Sequence, residues 1–202
     1  MNRGRFITFE GGEGTGKSTQ VRLLADALRR AGVDVVQTRE PGGSPSAEEI
    51  RTLLVTGAAD RWSPMAETLL FYAARVEHWR QVIEPALNRR AYVLCDRFAD
   101  STMAYQSYAG GLDRKLIDDL HRLTLAGAAP DLTLVLDLPV EEGLRRASAR
   151  RLAAGLESAP VRVQPGEGRQ QRRVDVEQPP RVTLHEGRRE DAHEAGQHHQ
   201  GW

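Results

Sequence analysis

Residues 11–18 combine glycines with a lysine and a hydroxyl group at a spacing that suits phosphate binding: Gly-Gly-Glu-Gly-Thr-Gly-Lys-Ser. Glycines have no Cβ, so several backbone N–H groups can turn inward around one anion. In this GxxxxGK[ST] pattern we expect Lys17 to reach the β- and γ-phosphates of a nucleoside triphosphate and Ser18 to offer its hydroxyl to Mg²⁺. A glycine-rich turn without a ligand is the alternative, and the complete motif argues against it. The predicted triphosphate contacts are Gly11, Gly12, Glu13, Gly14, Thr15, Gly16, Lys17, Ser18 and Thr19.

The elements around this loop are those of a parallel sheet covered by helices, because apolar runs alternate with amphipathic stretches through about the first 150 residues. A strand at Arg5–Glu10 and a helix at Lys17–Ala31 provide the context that the motif requires. Pro85 is expected to kink or shorten the third helix. We predict an α/β fold, with three α/β/α layers and a parallel sheet, over residues 1–151. The other predicted elements are strands at 33–38, 92–95 and 132–138 and helices at 47–55, 64–88, 112–125 and 140–152.

The sequence changes in character after Leu152. Residues 152–202 show no periodic apolar face and are rich in Arg, Gln, Glu, Gly, Pro and His. Aliphatic side chains are too few there for a packed element. We therefore predict that residues 152–202 form a divergent, disordered tail, and that the final strand and helix of the α/β domain are missing or altered.

Bulk properties exclude several classes of function. The net charge is zero, which gives no argument for nucleic acid or an acidic membrane as a partner. A single cysteine, Cys95, rules out an internal disulfide and fits a reducing cytoplasm. The sequence has neither a signal peptide nor an apolar run long enough to cross a bilayer. We expect a cytoplasmic protein. Because the Asn-Lys-x-Asp element of small GTPases is absent, a transferase acting on a second small molecule is the favoured class.

Five segments together are more specific than the loop alone. They are FEGGEGTGKST (Phe9–Thr19), TREPGG (Thr38–Gly43), FYAAR (Phe71–Arg75), DRFADSTMAYQ (Asp96–Gln106) and PDLTLVLD (Pro130–Asp137). In this order and spacing they resemble bacterial thymidylate kinases, and the resemblance covers about residues 4–151. It implies a P-loop nucleoside monophosphate kinase in which ATP phosphorylates dTMP to dTDP with Mg²⁺, in dTTP biosynthesis, usually as a homodimer.

Two neighbouring residues suit the phosphate end of such a site. Asp96 ends an apolar strand, where a carboxylate can hold Mg²⁺ through its water shell, together with Ser18. Arg97 suits bidentate binding of a nucleotide monophosphate. A structural Asp–Arg ion pair at the strand end is the alternative for both residues.

The resemblance also implies contacts with the nucleoside. Phe71 is expected to stack on thymine and Arg75 to donate to its carbonyl, although by pattern alone Phe71 would be core and Arg75 solvated. Thr102 is expected to bond the base, and Tyr105 to pack against the 2′-carbon and disfavour ribose. Glu10 is expected to face the same crevice as the dTMP contacts. Those predicted contacts are Glu13, at the 3′-hydroxyl, with Arg39, Phe71, Arg75, Arg97, Thr102 and Tyr105.

The resemblance fails at the lid. Phosphoryl transfer gains about 10³ to 10⁵ in rate from one arginine near the migrating group, and residues 12–15 supply none. Arg145, Arg146 and Arg150 match the arginine-rich helix end of the family, but the following D-R-[IF]-E segment is replaced. We therefore predict Lys17, Arg97 and Arg150 as catalytic, with Arg151 and Arg162 as the next lid candidates.

The abrupt change after Leu152 motivates the hypothesis of a reading-frame shift near codons 152–157, in the gene or in its recorded sequence. A genuine divergent tail is the alternative. Translation of the other two frames tests the hypothesis, because neither would contain a DR[IF]E segment if it were wrong. Two other functions stay open: a non-catalytic nucleotide binder that has lost its lid, and a kinase for another nucleoside monophosphate or deoxynucleoside.

Overall fold

The computed structural model of the chain describes residues 3–58, 60–153 and 182–186. Its strands are β1 (Phe6–Glu10), β2 (Val35–Arg39), β3 (Tyr92–Asp96), β4 (Leu132–Leu136) and β5 (Val182–Glu186). They form one sheet in the spatial order β2-β3-β1-β4-β5. The first four strands are parallel and β5 runs antiparallel to β4. The predicted parallel sheet is therefore confirmed for β1 to β4. The last strand, β5, lies at the edge of the sheet and is antiparallel to its neighbour.

Helices lie between the strands, as the alternating pattern predicts. A π-helical turn, Trp79–Ile83, joins the third and fourth helices, and a π-helical segment, Met103–Ala109, continues the fifth. The helices are α1 (Lys17–Arg30), α2 (Pro45–Val55), α3 (Pro64–His78), α4 (Glu84–Asn88), α5 (Ala99–Thr102), α6 (Arg114–Leu125) and α7 (Val140–Ala153).

The core occupies both faces of the sheet, because successive side chains of a strand point to opposite sides. Val93 and Cys95 of β3 belong to a buried cluster that includes Ile83 of the π-helical turn. Leu94 belongs to a second buried cluster that includes Val21 of α1. The buried β3 thus separates two layers of helices, which confirms the three-layer α/β/α architecture.

The parallel register collects polar residues at one edge of the sheet. Phe9 of β1 and Arg39 of β2 both lie opposite Asp96 of β3. Glu10 follows Phe9 and lies opposite Val135 of β4. The carboxyl ends of all four parallel strands therefore meet at this edge, where open α/β sheets bind their ligands.

The long helix near Pro85 differs from its prediction in one respect. Instead of a sharp kink, the chain widens into the π-helical turn, in which Glu84 N–H bonds to the carbonyl of Trp79. Proline has no N–H to donate and clashes with a regular helical turn before it. The wider turn accommodates Pro85 while the helical path continues to Asn88.

The helical stretch Ala99–Ala109 was not predicted at all. Its sequence, ADSTMAYQSYA, has no regular apolar face, and most of it is π-helical, so the 3.6-residue periodicity does not apply.

Part of the predicted tail belongs to regular elements. α7 ends at Ala153, and residues 182–186 form β5, which pairs with β4 from Leu132↔Glu186 to Leu136↔Val182. Val182 and Leu184 alternate with polar residues, which is the strand period. Residues 154–181 and 187–202 lie outside the described residues, so their disorder and the domain boundary at 151 stay predictions. Within the described part of the chain, no helix is long and apolar enough to cross a membrane.

One buried hydrogen bond between helices provides a stability test. The Tyr72 hydroxyl on α3 donates to the carbonyl of Ile117 on α6 over 3.0 Å, and Tyr72 is 2% exposed. Tyr72→Phe should destabilise the fold by about 1 kcal/mol, because the buried carbonyl loses a partner. For a chain of this size that lowers the melting temperature by roughly 2–4 °C.

The matched control is Tyr108→Phe. Tyr108 is 55% exposed, so removing its hydroxyl, which water can reach, should change the melting temperature little. Thermal unfolding followed by circular dichroism compares the two variants. Equal melting temperatures for both would contradict a stabilising α3–α6 hydrogen bond.

Candidate active site

The phosphate loop, residues 11–16, lies between the end of β1 and the start of α1, as predicted. Two of its glycines are required by close contacts. A Cβ on Gly11 would collide with the carbonyl oxygen of Leu136, and a Cβ on Gly14 with the carbonyl oxygen of Gly143. Both glycines also have positive φ, 135° and 75°. The loop therefore packs against the end of β4 and the first turn of α7. The contacts are so close that only glycine, which has no side chain, fits at these two positions.

The Lys17 ammonium lies within the loop. Its Nζ donates to the carbonyls of Gly11 at 2.9 Å and Gly12 at 2.7 Å, and the residue is 8% exposed. Burial, and next the positive charge of Arg97, lower the pKa of Lys17 to about 8. The lysine is thus a confined cation at the start of a helix, where an anion is favoured.

Ser18 and Asp96 meet at the next position along the edge. The Ser18 hydroxyl donates to Asp96 Oδ2 over 2.7 Å, which links α1 to the end of β3. A hydroxyl and a carboxylate side by side are the hard oxygen ligands that Mg²⁺ takes alongside water and phosphate. No cluster of three or more His, Cys, Asp or Glu suited to a metal occurs among residues 3–58, 60–153 and 182–186. The donor set thus fits a metal that reaches the site with a nucleotide.

Glu10 holds the start of α5 and places Arg97. Its carboxylate accepts from Phe98 N–H at 2.7 Å and from the Ser101 hydroxyl at 2.6 Å. Burial raises the pKa of Glu10. Arg97, at a strained φ of 72°, donates through Nη1 to Ser101 Oγ at 3.0 Å and to the Tyr105 hydroxyl at 3.2 Å. Strain of this kind persists where the surroundings fix it, often at functional sites.

Arg75 is buried rather than solvated. It is 2% exposed, and its Nε donates to Glu40 Oε2 over 2.6 Å. Its Nη2 donates to Phe98 O at 3.2 Å and to Thr102 Oγ1 at 2.9 Å. Its Nη1 is buried and has no hydrogen-bond partner within the part of the chain that the structure describes. A buried donor without a partner is uncommon in folded proteins, and here it belongs to a residue that lines a cavity.

This cavity, of about 530 Å³, brings most of the predicted residues together. Half-buried Phe71 lines it one helical turn from Arg75. Arg39 also lines it, with its guanidinium held by Glu48 at 2.9 and 3.1 Å. The predicted residues in its wall are Glu13, Gly14, Gly16, Lys17, Ser18, Thr19, Arg39, Phe71, Arg75, Asp96, Arg97, Thr102, Tyr105 and Arg150.

Three predicted loop residues, Gly11, Gly12 and Thr15, lie elsewhere. They line an adjoining cavity of about 420 Å³ on the opposite side of the loop. Glu13 of the loop lines both cavities, as do Arg97, Ser101 and Tyr105. Gly14 and Gly16 of the loop, and Lys17 and Ser18 after it, line the larger cavity.

The first turn of α7 contacts the phosphate loop through two glycines. A Cβ on Gly143 would lie 2.5 Å from the carbonyl oxygen of Glu13, and Gly14 contacts Gly143 in return. Arg150 is seven residues further along α7, two helical turns, and so lies on the same face as Gly143. It lines the cavity, whereas Arg145 and Arg146 pair with Glu142 at 2.8 and 2.7 Å. The Arg151 side chain and Arg162 lie outside the described residues.

Sequence analysis missed several residues of this site. Glu40 and His78 support Arg75, Arg51 donates to the Pro41 carbonyl at 2.7 Å, and Gln106 contacts Glu67 at 3.3 Å in the cavity wall. Glu40 and Gln106 lie in two of the family-like segments, TREPGG and DRFADSTMAYQ, but no role was assigned to them there. The i, i+3 relation of Arg75 and His78 on one helix was the signal available for His78.

Comparison with known proteins assigns a family to this arrangement. The family model for thymidylate kinase matches residues 9–161, more than half of the chain. The chain belongs to the thymidylate kinase family. The match also extends past residue 151, the predicted end of the family-like domain.

Curated members of the thymidylate kinase family match over the same part of the chain. The thymidylate kinase of Caulobacter vibrioides is 63% identical over 158 residues, 78% of this chain and 76% of that protein. That of Bradyrhizobium diazoefficiens is 59% identical over 149 residues, 74% of this chain and 65% of that protein. The crystal structure of thymidylate kinase from Ehrlichia chaffeensis superposes with a TM-score of 0.64 at 41% identity, covering 76% of this chain and 87% of that one.

These findings confirm the resemblance, the fold class and the kinase function. Thymidylate kinases at 55–63% identity support ATP-dependent phosphorylation of dTMP. They do not favour a non-catalytic nucleotide binder or a kinase for another nucleotide.

The Gly14–Gly143 contact predicts that α7 positions the lid cation. Gly143→Ala should displace α7 from the phosphate loop, because its Cβ has no room beside Glu13 O. We expect turnover of dTMP to fall by about 10²-fold, the usual cost of about 1 Å of misplacement at a reacting centre. Ser148→Ala, at an exposed position of the same helix, is the control. Wild-type turnover in Gly143→Ala would contradict the contact.

The lowered pKa of Lys17 predicts a pH dependence of ATP binding. The free protein loses the Lys17 charge as pH rises through about 8, whereas bound phosphate stabilises the charged form. ATP affinity should therefore be constant at lower pH and fall by up to about tenfold per pH unit above 8. Calorimetric titrations from pH 7 to 9.5 measure this. Lys17→Arg, which stays charged, should bind with little change over the range, and a flat wild-type profile would contradict the prediction.

Proposed function

We propose that the chain transfers the γ-phosphoryl group of ATP to dTMP within the 530 Å³ cavity, producing dTDP and ADP. The observation that carries the proposal is that Arg75, whose buried Nη1 has no hydrogen-bond partner among the described residues, lines the same cavity as Lys17. The cavity thus combines an unused guanidinium donor, which suits a base, with a cation, which suits phosphates.

The base and sugar are assigned to the Arg75 end. Arg75 Nη1 would donate to a thymine carbonyl while the half-buried Phe71 ring stacks on the base. Thr102 already holds Arg75 Nη2 and would contact the base edge. Tyr105 would pack against the 2′-carbon, where a ribose hydroxyl is excluded. Glu13 would accept from the 3′-hydroxyl.

The monophosphate of dTMP is assigned to the arginines at the strand ends. Arg97 lies between Glu10, Ser101 and Tyr105 and would bind the phosphate at the carboxyl end of β3. Arg39 is 53% exposed in its side chain and is held by Glu48 at the rim. It would contribute a second, weaker contact, because exposed charges are screened by solvent.

The triphosphate of ATP is assigned to the phosphate loop. Lys17 would contact the β- and γ-phosphates, and Ser18 and Asp96 would hold Mg²⁺, Asp96 partly through water. When bound, Mg²⁺ neutralises phosphate charge and orients the reacting groups.

Transfer requires no protein nucleophile. A phosphate oxygen of dTMP forms the new bond to the γ-phosphorus, and the bond from that phosphorus to the β,γ-bridging oxygen breaks to leave ADP. Lys17, Arg97 and Arg150 of α7 all line the cavity and would contact the reacting phosphates. Their shared task is to stabilise the charge that builds on the migrating group.

The family also motivates proposals about assembly and location. A homodimer is supported by the exposed apolar residues Leu53, Met65 and Leu69 on α2 and α3, which are 38–49% exposed. We also propose a cytoplasmic location, which the single cysteine supports, and a role in dTTP biosynthesis, which the family suggests. The zero net charge gives no argument for nucleic acid or a membrane as a partner. Light scattering during size-exclusion chromatography tests the dimer.

Turnover tests the proposed function directly. Purified protein is incubated with ATP, Mg²⁺ and one of dTMP, dUMP, AMP, GMP or CMP, and ADP release is measured. We expect clear selectivity for dTMP. Turnover of another nucleotide in preference to dTMP, or of none by folded protein, would contradict the proposal.

Arg150→Ala tests the lid assignment. The variant should lose about 10³- to 10⁵-fold in kcat with little change in KM, because the cation acts on charge that develops during transfer. Arg145→Ala is the matched control, since Arg145 lies on the same helix and is occupied by Glu142. Equal kcat values for the two variants would show that Arg150 is not the lid cation.

A further inference from the structure

We infer that Glu40 and His78 are positioning residues that hold the Arg75 guanidinium in the orientation that selects thymine over cytosine. The inference rests on the proposed function and extends it to residues that do not contact the nucleotide. It starts from a chain of buried hydrogen bonds that leads away from the cavity.

The Glu40 carboxylate uses its two oxygens for two different partners. Oε2 accepts from Arg75 Nε over 2.6 Å, and Oε1 lies 3.2 Å from His78 Nδ1. His78 Nε2 in turn lies 2.6 Å from the hydroxyl of Thr38 on β2. Glu40 is 6% exposed, Arg75 2% and His78 0%. These hydrogen bonds therefore connect the guanidinium to the sheet, and only the outermost residue, Thr38, is half-buried rather than buried.

The surrounding packing keeps this chain in one conformation. Arg75 and His78 are three residues apart on α3, so both side chains approach Glu40 from one helix face. Gly43 lies beside the His78 ring so closely that a Cβ there would collide with His78 Nε2 and lie 2.5 Å from Thr38 Oγ1. The ring has no room to turn towards Gly43, and Glu40 therefore keeps its orientation.

The Arg75 guanidinium is left with one donor nitrogen for a ligand. Glu40 occupies Nε, and the carbonyl of Phe98 and the hydroxyl of Thr102 occupy Nη2. Only Nη1 of the guanidinium finds no hydrogen-bond partner among the described residues. A guanidinium donates and never accepts, so Nη1 suits a ring carbonyl and is opposed by an amino group at the same place. At one ring position thymine carries a carbonyl oxygen, whereas cytosine carries an amino group.

A contribution to stability does not explain why the buried ion pair of Arg75 and Glu40 is present. A buried ion pair costs desolvation that often cancels its attraction, and apolar residues of similar volume serve a core as well or better. Fixing a donor for recognition is a use that an apolar replacement cannot provide. A site with a fixed polar group rejects a mismatched partner by leaving that group unpaired.

The test measures kcat and KM for dTMP, dCMP and ATP in variants along the chain. His78→Phe keeps a ring but removes both hydrogen bonds, and Thr38→Val removes only the outermost one. For His78→Phe we expect KM for dTMP to rise about tenfold or more and the preference for dTMP over dCMP to fall about tenfold. kcat at saturating dTMP and KM for ATP should stay near wild type. Thr38→Val should shift the same quantities less.

A conservative variant and a control separate positioning from stability. His78→Asn keeps a donor near the position of Nδ1 and should recover most of the dTMP preference that His78→Phe loses. Thr68→Val, at a fully buried residue of α3 whose hydroxyl bonds only Pro64 O at 2.7 Å, should change the melting temperature but neither KM. If His78→Phe fails to fold, Thr38→Val and His78→Asn still carry the test through KM and selectivity.

The outcomes distinguish this inference from the proposed function. Wild-type protein that neither binds nor phosphorylates dTMP would overturn the proposed function, and the inference with it. Normal wild-type turnover with unchanged dTMP selectivity in the His78 and Thr38 variants would overturn the inference alone. A loss of kcat and melting temperature without a change in selectivity would also overturn it, because that result indicates a purely structural role.

Discussion

The buried side chains of Arg75 and Glu40 join three parts of the fold through one guanidinium group. Arg75 belongs to α3, Glu40 follows β2, and the remaining partners of the guanidinium, Phe98 and Thr102, follow β3. Both Arg75 and Glu40 line the cavity beside the phosphate loop. Since such pairs contribute little to stability, their strict geometry matters most for what the cavity recognises.

Burial has opposite effects on the charged groups at this edge. It lowers the pKa of Lys17 and raises the pKa of Glu10, because an ionised group costs more away from water. Hydrogen bonds offset that cost for each: Lys17 bonds loop carbonyls, and Glu10 bonds Phe98 N–H and Ser101. These two groups are therefore held in place without a nucleotide, and the buried Lys17 would act on phosphate in a medium that screens its charge little.

Local pattern predicted most of the sheet, the phosphate loop and the helices with regular apolar faces, because each depends on short-range spacing. Likeness to the family supplied Phe71 and Arg75, the residues proposed to contact the base, whose pattern alone indicated core and surface. The contact between Glu40 and His78 could not be predicted, although Glu40 lies in a family-like segment, since it joins residues 38 positions apart in sequence. The stretch 99–109 was missed because π-helical geometry has no 3.6-residue period, and β5 because five residues with two aliphatic side chains form too short a pattern.

We propose that Arg75, held in one orientation, donates a hydrogen bond to a base carbonyl in a cavity that the phosphate loop also lines. A crystal structure of the protein with dTMP measures this most directly. The account predicts that Arg75 Nη1 lies about 3 Å from a thymine carbonyl oxygen while Nε stays on Glu40. A bound dTMP whose base lies away from Arg75, or an Arg75 that has left Glu40 to reach the base, would contradict the account.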